Sequence, residues 1–365
     1  MDSEKAFLVL ENGRVFTGKK IGYWPDSDSG IIGELVFTTG MTGYNETLTD
    51  PSYTGQIIVQ TFPLIGNVGV IPDDFEGSCF ARGYVVRELC DTPSNFRSEG
   101  NLNEWLEQIR LPGVAGVDTR AVTRLLREYG TMNALLCDVL PEDLDKIRDY
   151  RITGAVAQTS IGFVQRLTVP DAALHTVLVD YGAKHNIVCC LQRRGAEVTI
   201  VPHDTSAEEI LSLNPDGIML SNGPGDPEEN VYEIAQIRKL IGKKPIFGIC
   251  LGHQLTALAM GGRTVKLKYG HHGTNQPVTD GKRTWITAQN HNYAVLTESL
   301  NGIARQTFQN ANDFSCEGLE YPGLSCFTVQ FHPEASGGPR DTEFLFDSFI
   351  RLCEKQKEEQ LHAQG

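Results

Sequence analysis

The chain has 365 residues, of which 40% are hydrophobic and 21% charged, a composition typical of a globular protein with enough apolar material for two domains. Its 32 basic and 46 acidic side chains give a formal net charge of −14. This acidity argues against nonspecific binding to nucleic acid or to an anionic membrane surface, because both favour a basic protein face. No run of about 18 consecutive apolar residues occurs, so a membrane span is not expected.

The cysteine pattern indicates the compartment. Nine cysteines are scattered along the chain without a single Cys-x-x-Cys pair, so the signatures of zinc ribbons and thioredoxin-like redox sites are both missing. The amino-terminal residues do not combine basic side chains with a long apolar run, as a secretory signal would. We therefore expect reduced thiols and a cytoplasmic location.

The first 150 residues contain short strand patterns mixed with a few helices. Residues 6–16 form two strand-like runs around Asn12-Gly13, the strongest short-range signal for a β-hairpin. The later patterns are strands at 33–38, 56–61 and 83–87 and helices at 101–109 and 119–129, the last with Asp118 as its amino-terminal cap. We predict a mixed α+β domain over residues 1–150 that is not doubly wound.

Beyond a predicted linker at 151–173, strands and helices alternate. The strands are predicted at 176–179, 197–201, 217–220 and 245–249, and the helices at 184–193, 207–213 and 231–241. Such alternation is typical of a parallel sheet with helices on both faces. We therefore predict an α/β protein in which residues 174–365 form a doubly wound domain with a largely parallel sheet. Its active site should lie beyond the carboxyl ends of the strands.

Cys250 stands at such a strand end. In Gly248-Ile249-Cys250-Leu251-Gly252 a buried-strand pattern stops at the cysteine and a helical pattern starts at once. Glycines give a sharp strand-to-helix turn the room and backbone freedom it needs, and the amino terminus of the helix favours a thiolate. The alternative is a buried cysteine that merely ends a strand.

Two further segments could complete the chemistry of a nucleophilic thiol. Residues 326–331 read as a strand that ends at His332-Pro333-Glu334, where a carboxylate can orient an imidazole that acts as base; a surface loop is the alternative. The loop 221–227 follows another strand and exposes backbone N–H groups that suit an oxyanion; an ordinary connection is the alternative there. It lacks the Lys-Ser/Thr ending of a phosphate-binding loop, so nucleotide binding is not expected.

These three segments, in this order, resemble the class I (triad) glutamine amidotransferases over residues 174–353. The amino-terminal half narrows the likeness to the small subunit of carbamoyl-phosphate synthase. The segments of that half that carry it are Thr39-Gly-Met-Thr-Gly-Tyr44, Leu48-Thr-Asp-Pro-Ser-Tyr53, Pro63-Leu-Ile-Gly-Asn67 and Gly116-Val-Asp-Thr-Arg120. In the second half, Asp180-Tyr-Gly-Ala-Lys-His-Asn186 and Gly270-His-His-Gly273 fit the same family. With them, the resemblance spans essentially the whole chain.

The resemblance implies a role for each matching residue. Cys250 would attack the carboxamide of L-glutamine, His332 would act as base and then as acid, and Glu334 would orient it. The residues implied to bind glutamine are Ser52, Gly223, Gly225, Leu251, Gln254, Asn290, Asn292 and Tyr293, with the amides of Gly223 and Leu251 stabilising the oxyanion. Asn292 departs from members that carry glycine there. His253 would only pack or cap, and His271-His272 lacks a third ligand, so no metal is expected.

The resemblance also implies a partner. Ammonia made on this chain would pass to a large synthetase subunit, contacted by residues 1–150, which would bind ATP and Mg and make carbamoyl phosphate. No cofactor is expected on this chain. Three alternatives stay open: an amidotransferase for chorismate or a nucleotide precursor, a stand-alone cysteine hydrolase, and an inactive interaction module. The sequence leaves open whether the product serves arginine or pyrimidine synthesis.

Overall fold

The computed structural model describes residues 4–25, 30–335 and 337–364. The chain forms two compact units. The first comprises residues 1–152 and 268–274, and the second comprises 153–267 and 275–365. None of the described helices combines the length and the apolar character that crossing a bilayer would require.

The first unit is built on a closed barrel. Its strands are β1 (Lys5–Leu10), β2 (Val15–Gly22), β3 (Ile31–Thr38), β4 (Gln56–Gln60), β5 (Leu64–Ile65), β6 (Gly83–Val85), β7 (Glu88–Leu89), β8 (Pro112–Ala115) and β9 (Met132–Cys137). Its helices are α1 (Tyr44–Leu48), α2 (Leu102–Gln108), α3 (Thr119–Tyr129) and α4 (Asp145–Arg148). The barrel order is β1-β2-β8-β6-β4-β3-β9, and β5 pairs separately with β7.

Local signals explain several of these elements. The predicted hairpin is confirmed, because β1 and β2 pair antiparallel on either side of Gly13, whose φ is 87°, a conformation that glycine adopts at little cost. The predicted cap of α3 is also confirmed: the Asp118 carboxylate accepts a hydrogen bond from the Ala121 amide at 3.0 Å. Val122 and Leu126 of α3 then pack with Leu8 and Leu35 in a buried cluster.

The second unit is a ten-stranded sheet with six helices among its described residues. Its strands are β10 (Gln165–Leu167), β11 (Leu174–Asp180), β12 (Ala196–Pro202), β13 (Gly217–Leu220), β14 (Ile246–Ile249), β15 (Thr264–Thr279), β16 (Thr284–Val295), β17 (Arg305–Asn310), β18 (Cys316–Tyr321) and β19 (Cys326–Val329). Its helices are α5 (Ala155–Thr159), α6 (His185–Gln192), α7 (Ala207–Ser212), α8 (Val231–Leu240), α9 (Leu251–Ala259) and α10 (Phe344–Gln364). The sheet order is β10-β12-β11-β13-β14-β19-β18-β17-β15-β16.

The predicted parallel sheet is confirmed at the centre of this unit. Strands β12, β11, β13, β14 and β19 run parallel to their neighbours, and β10 and β18 flank them antiparallel. Alternate residues of β13 face opposite sides: Ile218 and Leu220 pack in one core, and Met219 packs in the other. Residues of α7, α8 and α9 belong to the first core and residues of α6 and α10 to the second, which is the doubly wound arrangement.

The segment predicted as a linker, residues 151–173, contains α5 and β10, and β10 pairs antiparallel with β12. The part from residue 153 onward belongs to the second compact unit. The Asp180 carboxylate holds this segment, because it accepts a hydrogen bond from the Ile161 amide at 2.7 Å as well as from Ala183 at 2.6 Å.

Candidate active site

Cys250 occupies the single residue between β14 and α9. Its φ of 53° and ψ of −101° lie where residues with a side chain are strained. Its amide donates to the Val329 carbonyl at 2.8 Å, which fixes the turn against β19, and its side chain is buried. A strained backbone that the surrounding fold maintains is characteristic of functional sites.

The two glycines that bracket Cys250 are required by close backbone contacts. A Cβ on Gly252 would lie 2.4 Å from the Leu220 carbonyl oxygen, and a Cβ on Gly248 would lie 2.8 Å from the carbonyl oxygen of Gly252. The Gly252 amide donates to the Ser221 carbonyl at 3.0 Å. Because both residues are glycine, the amino terminus of α9 can pack directly against the end of β13.

His332 and Glu334 form a buried pair after the end of β19. That strand ends at Val329, two residues earlier than the pattern predicts, and the His332 amide instead donates to the Ala288 carbonyl at 2.9 Å. Nδ1 of His332 lies 2.6 Å from Oε1 of Glu334, and both side chains are inaccessible to solvent. A carboxylate can only accept, so Nδ1 carries the proton and Nε2 is left for another group.

The electrostatics of the pair favour its charged form. Burial and the Lys184 ammonium lower the pKa of His332, but the Glu334 carboxylate and the Cys250 thiol outweigh them and raise it above its usual value. Burial alone would raise the pKa of Glu334, yet the imidazole and Lys184 hold it below its usual value. Within the described residues Nε2 of His332 has no partner at full hydrogen-bonding geometry, and its interaction is with the Cys250 thiol.

Two residues beside this pair were not assigned a role from the sequence. Nζ of Lys184 lies 3.8 Å from Oε1 of Glu334, and the side-chain amide of Asn186 donates to the Glu334 carbonyl. The Lys184 amide is held at 3.0 Å by Oδ1 of Asn222. Their position in the sequence could have indicated a role in the site, because both residues follow the carboxyl end of β11, a parallel strand next to β13.

The loop after β13 lies against the turn at Cys250. A Cβ on Gly223 would come within 2.4 Å of the Tyr181 carbonyl oxygen and 2.8 Å of Cδ2 of Leu251, so only glycine fits there. Leu251 is the first residue of α9, where a backbone amide has no acceptor within the helix. Gly225, with a φ of 89°, lines a cavity of about 340 Å³ together with Asp226 and His203.

The remaining predicted glutamine-binding residues of the second unit lie close to one another. Sγ of Cys250 is 3.7 Å from the carbonyl oxygen of Asn290, in β16. Nε2 of Gln254 donates to the Tyr293 carbonyl at 2.9 Å, and the Tyr293 hydroxyl donates to Oδ2 of Asp226 at 3.0 Å. Asn292 is a buried residue of the same strand.

Ser52 and His272 belong to the first unit. Ser52 is buried in a short turn over Pro51–Tyr53, where its amide donates to Oδ1 of Asp50 at 2.9 Å. The His272 ring stacks on the ring of Tyr53 with centroids 6.2 Å apart. A glutamine contact by Ser52 stays a prediction.

His253 has the packing role that was expected of it. Its side chain is fully buried and its Nδ1 lies 2.7 Å from the Thr328 hydroxyl. Burial lowers the pKa of His253 to about 3, so the ring is neutral at physiological pH.

Comparison with known proteins extends these observations to the whole chain. Residues 177–352 match the family described as glutamine amidotransferase class-I, and residues 8–136 match the carbamoyl-phosphate synthase small chain, CPSase domain. The chain is 48% identical to the carbamoyl phosphate synthase small chain of Oceanobacillus iheyensis, over 98% of both proteins. It is 49% identical to the pyrimidine-specific small chain of Halalkalibacterium halodurans, over 97% of this chain and 98% of that one. With two domain matches in this order and such identity over nearly its full length, the chain belongs to the carbamoyl phosphate synthase small chain family.

Proposed function

We propose that this chain is the glutaminase subunit of a carbamoyl-phosphate synthase, which hydrolyses L-glutamine to glutamate and ammonia. The observation that carries the proposal is the strained turn that holds Cys250 beside the buried His332–Glu334 pair. A cysteine held out of a regular element next to an oriented imidazole is the arrangement that nucleophilic catalysis needs.

The reaction proceeds in two halves. Nε2 of His332 takes the proton of the Cys250 thiol as the sulfur attacks the carboxamide carbon of glutamine, and a tetrahedral oxyanion forms against the amides of Gly223 and Leu251. His332 then gives its proton to the nitrogen as the C–N bond breaks, so ammonia leaves and a thioester remains.

Water completes the reaction. His332, now neutral at Nε2, takes a proton from water as its oxygen attacks the thioester carbon. The C–S bond breaks, His332 gives this proton to the departing sulfur, and glutamate leaves, so the thiol–imidazole pair is restored. Glu334 keeps the imidazole oriented throughout, because its hydrogen bond to Nδ1 fixes the ring and the tautomer.

The ammonia serves a second chain. We propose that a large synthetase subunit, contacted by the first unit, binds ATP and Mg and joins the ammonia to bicarbonate as carbamoyl phosphate. Glutamine would be held by Ser52, Gly225, Gln254, Asn290, Asn292 and Tyr293 in addition to the oxyanion amides. Membership of the small chain family supports this assignment, and the reduced-thiol pattern supports a cytoplasmic reaction.

The test is Cys250→Ser in the complex with the large subunit. Glutamine-dependent synthesis of carbamoyl phosphate should vanish, while synthesis from added ammonia should persist, because the variant lacks only the thiol nucleophile. Loss of both activities would contradict the division of labour between the two chains. An electrophilic glutamine mimic should label Cys250 in the unmodified chain, and an unlabelled thiol would favour an inactive interaction module.

The identity of the copurifying protein distinguishes this function from a different amidotransferase and from a stand-alone hydrolase. An ATP-dependent synthetase that makes carbamoyl phosphate is expected. A chorismate- or nucleotide-modifying partner would point to another acceptor, and full activity of the isolated chain that no partner changes would indicate a stand-alone hydrolase.

A further inference from the structure

The side-chain amide of Gln254 uses both of its N–H groups inside the protein. Nε2 donates to the Tyr293 carbonyl and to Oε1 of Gln330, each at 2.9 Å. A primary amide nitrogen has two hydrogens and no acceptor capacity. Nothing is therefore left on this nitrogen for a substrate, and the carbonyl oxygen Oε1 is the one group Gln254 can offer.

The orientation of these two amides follows from chemistry as well as from position. The Tyr293 carbonyl is an acceptor in any arrangement, so the Gln254 atom that faces it must be the nitrogen. The same nitrogen faces Gln330, so Gln330 must present its oxygen. Gln330 thus completes a clamp that prevents the Gln254 amide from turning over.

Gln330 is itself firmly held. Its side chain is inaccessible to solvent and its backbone amide donates to the Glu317 carbonyl at 3.0 Å. Its Nε2 is buried and finds no acceptor among the residues that the structure describes. A buried N–H group without an acceptor is destabilising, so an apolar residue of this shape would suit the core better unless the oxygen of Gln330 were needed.

The carbonyl oxygen of Gln254 is an acceptor that the described part of the chain does not use. Within the described part of the chain no donor forms a hydrogen bond with Oε1 of Gln254, although the residue is only 3% exposed. Gln254 lies one helical turn after Cys250, whose carbonyl accepts from the Gln254 amide at 3.1 Å. An unused acceptor on the residue one helical turn after the nucleophile suits a donor group of the substrate.

We propose that Gln330 is a positioning residue that locks the Gln254 amide so that its carbonyl oxygen accepts a hydrogen bond from L-glutamine. The inference rests on the proposed glutaminase function. Gln330 does not touch the substrate; it acts through Gln254. Without it, among the residues that the structure describes, only the Tyr293 carbonyl holds the Gln254 side-chain amide, so the amide turns over more readily and its oxygen is less well positioned.

The test compares Gln330→Met with Gln330→Glu in the full chain, assayed by glutamate release. Methionine keeps the shape but removes the acceptor, so the KM for glutamine should rise about tenfold, as expected for one hydrogen bond, while kcat changes by less than roughly threefold. Glutamate retains an acceptor oxygen and should restore most of the lost affinity. Equal KM values for Gln330→Met and the unaltered chain would overturn the proposal, as would equal losses in both variants.

A matched control uses another buried glutamine. Gln236, whose Oε1 accepts from the Ala207 amide at 3.1 Å, is not one of the residues that hold Gln254, so Gln236→Met should leave the KM unchanged. If the unaltered chain releases no glutamate, the proposed function fails; if it does and the KM of Gln330→Met stays the same, only the clamp fails.

A measurement on the unaltered chain decides the case if the variants do not fold. With selective ¹⁵N-glutamine labelling, both side-chain N–H protons of Gln254 should exchange with solvent much more slowly than those of exposed glutamines, because each is held in a hydrogen bond. Rapid exchange of either proton would overturn the proposal.

Discussion

Nζ of Lys184 lies 3.8 Å from the carboxylate oxygen of Glu334 that accepts the hydrogen bond of His332. Both side chains are buried, so their charges are screened less than those of a surface pair. Lys184 favours the ionised form of Glu334 and at the same time lowers the pKa of His332. Lys184 therefore limits the rise in the pKa of His332, which makes it easier for the imidazole to release its proton.

Lys184→Met should slow the second half of the reaction. Without the ammonium the pKa of His332 rises further, so less neutral imidazole is available to take a proton from water. We expect thioester hydrolysis at neutral pH to slow by about tenfold, since each pKa unit corresponds to ~1.4 kcal/mol, and its rate to recover as the pH rises. Acid-quench trapping of the thioester formed from labelled glutamine measures this step.

Lys239→Met is the matched control, because Lys239 is exposed and pairs with Glu208 at 3.3 Å. It should leave the pH profile of thioester hydrolysis unchanged. If the pH profile of thioester hydrolysis in Lys184→Met matches that of the unaltered chain, or shifts to lower pH, Lys184 does not act on His332.

Glu334→Gln tests the orientation of the imidazole. The amide keeps the shape of the side chain but removes the charge that raises the pKa of His332, and it can turn its NH₂ group toward Nδ1 and favour the wrong tautomer. We expect kcat for glutamate release to fall by about 10²–10⁴-fold. Glu343→Gln, which alters a carboxylate paired with Arg194, should retain activity. Activity near that of the unaltered chain in Glu334→Gln would contradict the assigned role.

The predictable parts of the site were those encoded in short segments. The turn at Cys250 was visible because its glycines and the change of periodicity lie within five residues, and the His332–Glu334 pair because its members are two positions apart. The barrel of the first unit was not predicted, because the sequence of β8 shows no strand pattern and because β2, β8 and β6 pair across long stretches of chain. Lys184 was overlooked for the same reason: 150 positions separate it from Glu334 in the sequence, and the parallel sheet brings them together.

The strain at Cys250 predicts an unusual order of stabilities. Within a regular helix or strand, a protein with glycine at a position is less stable than one with alanine by about 0.5–1 kcal/mol, because glycine has more freedom in the unfolded chain. At a φ of 53° alanine keeps the strain, which costs about 1–3 kcal/mol, whereas glycine relieves it. Cys250→Gly should therefore unfold at a higher denaturant concentration than Cys250→Ala. Cys316, a buried residue in β18, is the control: there the alanine variant should be more stable than the glycine variant. If the alanine variant is the more stable one at Cys250 as well, Cys250 is not strained.

His253 predicts how the protein responds to acid. The unfolded chain takes up a proton at this ring near pH 6.5, but the folded chain does so only near pH 3, because burial disfavours the charged imidazole. Between these values the unfolded state binds the additional proton, so the free energy of unfolding falls as the pH falls, by up to ~1.4 kcal/mol per pH unit from this group.

His253→Gln keeps a polar group beside Thr328 without a titratable ring. Its free energy of unfolding, measured by urea titration at intervals between pH 6 and pH 4, should decrease less steeply than that of the unaltered chain. The exposed His362 provides the control, since His362→Gln should leave the slope as it was. Equal slopes for His253→Gln and the unaltered chain would mean that the buried ring is protonated in the folded protein.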